Sequence, residues 1–157
     1  MSPINVLIQE MTIQDYDEVY ALWEESKGID LSNIDSRSTI NRFLERNPGL
    51  SFVARDEGQL VGAVLCGHDG RRGYIDHLAV RTSHRRQGIG RMLASRCLYH
   101  LMQNGIQKWH LFVREDNSDA IAFWGKLGWQ QHIELVTMSN LNAANRESIP
   151  TGDHSGG

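Results

Sequence analysis

The stretch that most narrows what this chain can fold into runs from Tyr74 to Asn104. Tyr74-Ile75-Asp76-His77-Leu78-Ala79-Val80 reads as a strand and Arg81 to Gln87 as a polar link. Gly88 then opens an amphipathic helix with Ile89, Met92, Leu93, Cys97, Leu98 and Leu101 on its inner side, and Gly105 is placed to cap it. The next apolar run, Lys108 to Val113, completes a strand-helix-strand crossover, which requires a parallel pair. The junction also has a chemical meaning. The first N–H groups of a helix lack internal partners, and the helix dipole favours negative charge there. Gly88 and Gly90 remove side chains that would hold a phosphate off those amides, while Arg85, Arg86 and Arg91 bring charge-assisted donors. The loop is an anion cradle suited to a phosphate or pyrophosphate. It is not a Walker loop, since no Gly-Lys-Ser/Thr follows, nor a dinucleotide Gly-x-Gly-x-x-Gly, because position 93 is Leu.

The rest of the chain supplies the other elements. Val6 to Met11 reads as a first strand, and Thr12 with Asp15 makes a variant capping box. Tyr16, Val19, Tyr20, Leu22 and Trp23 then recur at helical spacing, and Gly28 ends that helix. A second helix is expected from about Ser36 to Arg46, carrying Ile40, Phe43 and Leu44, and Asn47-Pro48-Gly49 stops it. Leu50 to Arg55 and Gln59 to Cys66 form a hairpin through Asp56-Glu57-Gly58. Ser118 to Leu127 is a further helix and Trp129 to Met138 a last strand. This order predicts an α/β fold: four helices on a mixed sheet of about six strands, antiparallel in its N-terminal part and with a parallel pair beside the loop. One domain is expected over 1–139, with 140–157 a flexible polar tail.

Composition sets the outer limits. A length of 157 residues suits one core, and no apolar run approaches the roughly 20 residues that cross a bilayer. Met1 to Asn5 lacks the features of a signal peptide, so the expected location is cytoplasmic, with no membrane partner. Two cysteines in different elements and no Cys-x-x-Cys argue against a disulfide framework. Seven histidines without a helical His-x-x-x-His give no support for a metal. A net charge of -3 argues against nucleic acid as a partner. The five arginines and one histidine between Arg81 and Arg96, with no acid among them, are the local exception.

Two separated segments resemble the GCN5-related N-acetyltransferase (GNAT) superfamily. Arg85-Arg86-Gln87-Gly88-Ile89-Gly90 after Leu78-Ala79-Val80 is similar to its acetyl-CoA loop, and the segment from Asn117 through Phe123, Trp124 and Gly128 to Trp129 is similar to its Asn-x-x-Ala…Tyr-x-x-x-Gly-Phe signature. The resemblance covers about Val6 to Met138. It implies acetyl-CoA as co-substrate and a primary amine, on a small molecule or a protein, as acceptor. Leu78, Ala79 and Val80 would meet the pantetheine arm through the backbone groups of Leu78 and Val80. Amides of Gln87, Gly88, Ile89, Gly90 and Arg91 would hold the pyrophosphate, with Arg85 and Arg86 at its mouth. Asn117 would reach the pantetheine, Phe123 and Trp124 would pack along it, and the strand at Leu78 would splay from that at Lys108 to Val113.

Direct attack of an amine on a thioester needs a deprotonated amine, a polarised carbonyl and a protonated leaving thiolate. Many family members place a Tyr acid where this chain has Trp124, and relatives acting on ribosomal-protein N-termini carry a Glu base where it has Phe112. A thiol pKa of about 8.5 lets water serve as the acid. For the base, Tyr74, Asp76 and His77 are at hand. Alternation sets Tyr74, Asp76 and Leu78 on one face and His77 on the other unless a bulge intervenes. Asp76 and Tyr74 are the catalytic candidates, with Asp76 as a cap or the partner of a nearby Arg and His77 as a hydrogen-bonded structural histidine the alternative. Glu24, Glu25 and Asp30 either attract a cationic amine or form a solvated face, and Trp23 either packs in the core or lines the acceptor pocket. A non-catalytic acyl-CoA-binding or regulatory module is the alternative reading, and edge-strand pairing would allow a homodimer.

Overall fold

The computed structural model describes residues 5–142. Its elements are β1 (Val6–Glu10), α1 (Tyr16–Glu24), α2 (Arg37–Arg46), β2 (Phe52–Asp56), β3 (Gln59–His68), β4 (Gly73–Val80), α3 (Ile89–Gln103), β5 (Trp109–His110) and α4 (Ser118–Lys126). The strands form one sheet in the order β1-β2-β3-β4-β5. Every neighbouring pair is antiparallel except β4 and β5, which are parallel. The fold is the expected mixed α/β architecture.

Local chemistry sets the element ends. The Thr12 N–H donates to the Asp15 carboxylate at 2.9 Å, which closes a single 3-10 turn (Ile13–Asp15) before α1 begins at Tyr16. The Ser36 hydroxyl oxygen accepts from the Thr39 N–H at 3.3 Å and caps α2. Past its other end, the Asn47 Oδ1 accepts the His68 N–H at 3.0 Å, fastening α2 to β3. Glu57 (φ 50) and Gly58 (φ 84), both left-handed, make the two-residue turn whose twist suits the β2–β3 hairpin.

Helices cover both faces of the sheet. Leu60, Ala63 and Leu65 of β3 share a core with Val19, Leu22 and Trp23 of α1 and Ile40 of α2. Val61, Val64 and Cys66 share the opposite core with Leu93, Cys97 and Leu101 of α3. A strand buried on both faces has no polar alternation, which is why β3 reads as an unbroken apolar run. Gly73 lets α3 lie close: a Cβ there would sit 2.7 Å from Cδ1 of the fully buried Leu101. Gly73→Ala is therefore expected to destabilise the fold by about 1–3 kcal/mol, read as a lower urea midpoint with unchanged slope.

Among the described residues the sheet has five strands, and the expectation of about six is corrected. Lys108 to Val113 forms a ladder only at Trp109–His110. Trp129 to Met138 is irregular, with Ile133 83% and Met138 88% exposed. Strand propensity is realised only against a partner edge. Here β5 offers just two paired residues, and no further strand joins it among the described residues. Of the expected 140–157 tail, residues 143–157 lie outside the described residues. Among the described residues no helix is long and apolar enough to cross a membrane.

Candidate active site

The parallel register runs Gly73 to Trp109 and Tyr74 to His110 and stops there. Beyond Tyr74 the outer edge of β4 pairs with no strand among the described residues. On its inner edge the register jumps from Ala63 opposite Ala79 to Leu65 opposite Asp76, so β4 carries one extra residue. The bulge centres on His77, whose φ of 50 lies in the left-handed region. It overturns simple alternation. His77 stands on the α1 face beside Asp76, with its ring 4.9 Å from that of Trp23, and Leu78 turns to the α3 core. A left-handed non-glycine residue costs about 1–2 kcal/mol. Two hydrogen bonds offset it: the Trp23 indole N–H donates to the His77 carbonyl at 3.2 Å, and the His77 N–H donates to Asp76 Oδ1 at 3.0 Å.

Past Val80 the chain makes a 3-10 turn (Thr82–His84) and reaches Gly88, left-handed at φ 83, as the N-cap of α3. No side chain caps this end among the described residues. Helix geometry leaves the amides of Ile89, Gly90 and Arg91 without intrahelical acceptors. The arginine run divides in two. Arg81 donates to the Leu60 carbonyl at 3.3 Å, Arg85 donates to the Val80 carbonyl at 3.1 Å, and Arg96 lies 5.6 Å over the Phe52 ring. Arg86, itself left-handed at φ 62, and Arg91 are exposed beside the helix N-terminus, as is Gln87. Phe123 of α4 crosses onto the same spot: a Cβ on Gly90 would lie 3.3 Å from its ring and 3.7 Å from Val80 Cγ2. The fold thus joins the two distant segments at one place.

Across the sheet the α1 face carries a charged chain. His77 Nε2 lies 2.9 Å from Asp35 Oδ1, and Nδ1 lies 3.3 Å from Asp76 Oδ1. Side-chain exposure climbs from 5% at Asp35 through 13% at His77 to 56% at Asp76. Burial disfavours the imidazolium, but the bond to Asp35 and the charges of Asp76, Asp35 and Asp30 outweigh it, so the His77 pKa is raised. Desolvation raises the Asp76 pKa, against the opposing pull of the His77 charge and N–H, and Asp35 adds to the rise. Because the folded His77 value lies above the ordinary one of about 6.5, its stabilisation is full below that pH and fades as pH rises through the raised value. The loss of urea stability in Asp35→Asn is accordingly expected to be larger at pH 6 than at pH 9.

Residues 16–129 match the acetyltransferase (GNAT) family. The chain belongs to the GNAT acetyltransferase family. An acetyltransferase of Pectobacterium atrosepticum is 35% identical over 133 residues, covering 85% of this chain and 93% of that one. Among solved structures, Ard1 from Thermoplasma volcanium superposes with a TM-score of 0.70 at 25% identity, covering 78% of this chain and 81% of the other. The PaiA N-acetyltransferase of Thermoplasma acidophilum, solved in complex with coenzyme A, gives 0.71 at 19% identity and shares the fold over 83% and 91% of the two chains.

Within this GNAT fold the remaining site residues take definite places. Tyr74 is half-buried where the strands part, its ring 6.1 Å from that of His110. Asn117 is the N-cap of α4, its Oδ1 accepting the Ala120 N–H at 3.1 Å, and its amide group fills the space that Gly28 leaves by lacking a Cβ. Trp124 is buried in the α3-side core, edge-on to Phe123 and Trp129. Phe112 is exposed. Trp23 is fully buried in the α1-side core. Glu25 approaches Arg81 at 4.0 Å, and Asp30 pairs with Arg114 at 2.9 Å. Sequence reading missed Asp35. Its one local signal is the Ser32-x-x-Asp35 capping pattern, in which the Asp35 carboxylate accepts the Ser32 N–H at 3.1 Å.

Proposed function

We propose that this GNAT protein transfers an acetyl group from acetyl-CoA to a primary amine by direct attack within a ternary complex. The observation that carries the reading is the continuity of the site. Among the described residues, the unpaired outer edge of β4 leads, through Leu78, Ala79 and Val80, to the uncapped N-terminus of α3 beneath Phe123. The donor set fits the group. Amides from Gln87 to Arg91 and the exposed Arg86 suit a pyrophosphate, and an extended strand edge suits the amide-bearing pantetheine arm. Arg85 stiffens the mouth by its bond to the Val80 carbonyl.

Acetyl-CoA would supply a thioester whose thiolate departs readily. The chain's residues would align its carbonyl along Leu78 to Val80 and receive the amine from the α1 side. Asp76 and Tyr74, two positions apart on β4, are the groups that would handle protons there. The amine forms its bond to the carbonyl carbon as the C–S bond breaks, and the proton shed by nitrogen balances the one gained by sulfur.

Thiol release from acetyl-CoA across small amines, polyamines, lysine peptides and peptide N-termini tests the reading. Turnover on at least one class is expected. Tight acetyl-CoA binding with no turnover on any would favour the acyl-CoA-binding module, a reading that the aromatic residues Phe112 and Trp124 support.

A further inference from the structure

The chain from Asp35 through His77 to Asp76 lies on the α1 face of the sheet, outside the residues proposed to hold the cofactor. We infer that it is a proton relay for the acceptor amine, with Asp76 as the catalytic residue and His77 and Asp35 as positioning residues behind it. The inference rests on the acetyl-transfer reading above.

The tautomer follows from the partners. A carboxylate can only accept, and Asp35 is the better buried and more firmly held of the two. Its Oδ2 accepts the Ser32 N–H at 3.1 Å, and its carbonyl accepts the Tyr16 hydroxyl at 2.6 Å. Asp35 Oδ1, 2.9 Å from Nε2, therefore fixes the neutral imidazole proton on Nε2. Nδ1 is left with its lone pair facing Asp76 Oδ1 at 3.3 Å. Two acceptors then confront one another and are one proton short. The peptide N–H of His77 holds the same Oδ1 at 3.0 Å, so the Asp76 carboxylate cannot swing clear without losing that bond.

The left-handed bulge makes the arrangement. In regular alternation His77 and Asp76 would occupy opposite faces of β4, and the extra residue puts both on the α1 face. A strained non-glycine conformation held by surrounding bonds is a frequent mark of a working site. The exposure gradient runs the right way, from Asp35 in the core to Asp76 at the surface. Other groups around His77 are the uncharged Trp23 ring from α1 and the Asp30 carboxylate, which is bound to Arg114.

The proton balance is simple. An ammonium acceptor gives one proton to Asp76, its N–H bond breaking as the carboxyl O–H forms. The proton moves on to Nδ1, and the imidazolium is held between two carboxylates. The amine is left neutral and able to attack. Once transfer is complete, the proton returns through exposed Asp76 to water.

The test uses the full-length protein with its best amine from the panel, over pH 5 to 10, alongside NMR titration of the His77 imidazole, assigned by its loss in His77→Gln. In the unmodified protein kcat/KM for the amine is expected to rise along a limb that coincides with the His77 titration, above the ordinary histidine value. Asp35→Asn keeps the Ser32 acceptor, and it should move both the titration and the limb to lower pH while lowering the plateau about 10-fold. Asp76→Asn should lower kcat by roughly 100-fold with the KM for acetyl-CoA unchanged. An unmoved limb in Asp35→Asn, or an imidazole titrating at or below the ordinary value in the unmodified protein, overturns the relay alone. No turnover by the unmodified protein on any amine overturns the acetyl-transfer reading and the relay with it. A purely structural Asp35 would cost folded protein and leave the limb in place.

Discussion

Gly88→Glu is expected to weaken acetyl-CoA binding by about 100-fold or more while leaving a folded protein. Steric room is not the issue, since a Cβ at Gly88 would meet nothing within 4 Å. The φ of 83 adds a backbone cost of about 1–2 kcal/mol, which a domain of ordinary stability survives. The charge does the damage. Two unit negative charges about 4 Å apart, at an effective dielectric near 20, repel by about 4 kcal/mol, and the new carboxylate would sit beside the amides proposed to hold the pyrophosphate. It would also satisfy the helix N-terminus internally, as a capping acid does, and so compete with the ligand for the same N–H groups. Gly88→Ala separates the two contributions. It carries the backbone strain without the charge and is expected to lose less than about 10-fold. Calorimetric titration with acetyl-CoA, with circular dichroism to confirm folding, reads both variants. A folded Gly88→Glu protein that binds with unchanged affinity would remove the loop from the cofactor site.

The parts of this fold that could be read in the sequence are those whose causes are local. The helix start near Ser36, the stop at Asn47-Pro48-Gly49 and the hairpin connection at Asp56-Glu57-Gly58 each depend on residues within a few positions. The first two appear where they were expected, and in the third Asp56 closes β2 and leaves Glu57-Gly58 as the turn. The Gly88 N-terminus is of the same kind. The α1 face of β4 is not. Whether His77 lies with Asp76 or against it depends on one extra residue in the β3–β4 register, and a register belongs to two strands at once. Asp35 meets His77 only because a turn before α2 folds across the sheet, and the Ser32-x-x-Asp35 pattern speaks only of its own backbone. Trp129 to Met138 fails for the converse reason. Ile133, Leu135, Val136 and Met138 have the composition of a strand, but they stay exposed because composition cannot supply a neighbour. Trp124 is legible as a departure from the family's Tyr, whereas its burial against Phe123 and Trp129 follows from how α4 packs.

Trp23→Ala is expected to be the most destabilising single change on the α1 face, at about 3–5 kcal/mol. The side chain is fully buried among Val19, Leu22 and the inward residues of β3, and it is the ring against which His77 stands. Its removal opens a cavity and also leaves the His77 carbonyl without its indole donor. Trp23→Phe divides the two losses. The phenyl ring refills most of the space, and the missing N–H leaves a carbonyl short of its partner, worth about 1–3 kcal/mol. That loss falls on the left-handed residue of the bulge, so it should loosen the hold on Asp76 as well as on the core. Urea unfolding is expected to rank the unmodified protein above Trp23→Phe and Trp23→Ala last. Trp23→Phe, still folded, should show amide exchange quickened at His77 and unchanged along the Leu93 side of the sheet. Equal stability of Trp23→Phe and the unmodified protein would mean that the indole bond does not hold the bulge. The left-handed His77 would then be fixed by its two carboxylates alone.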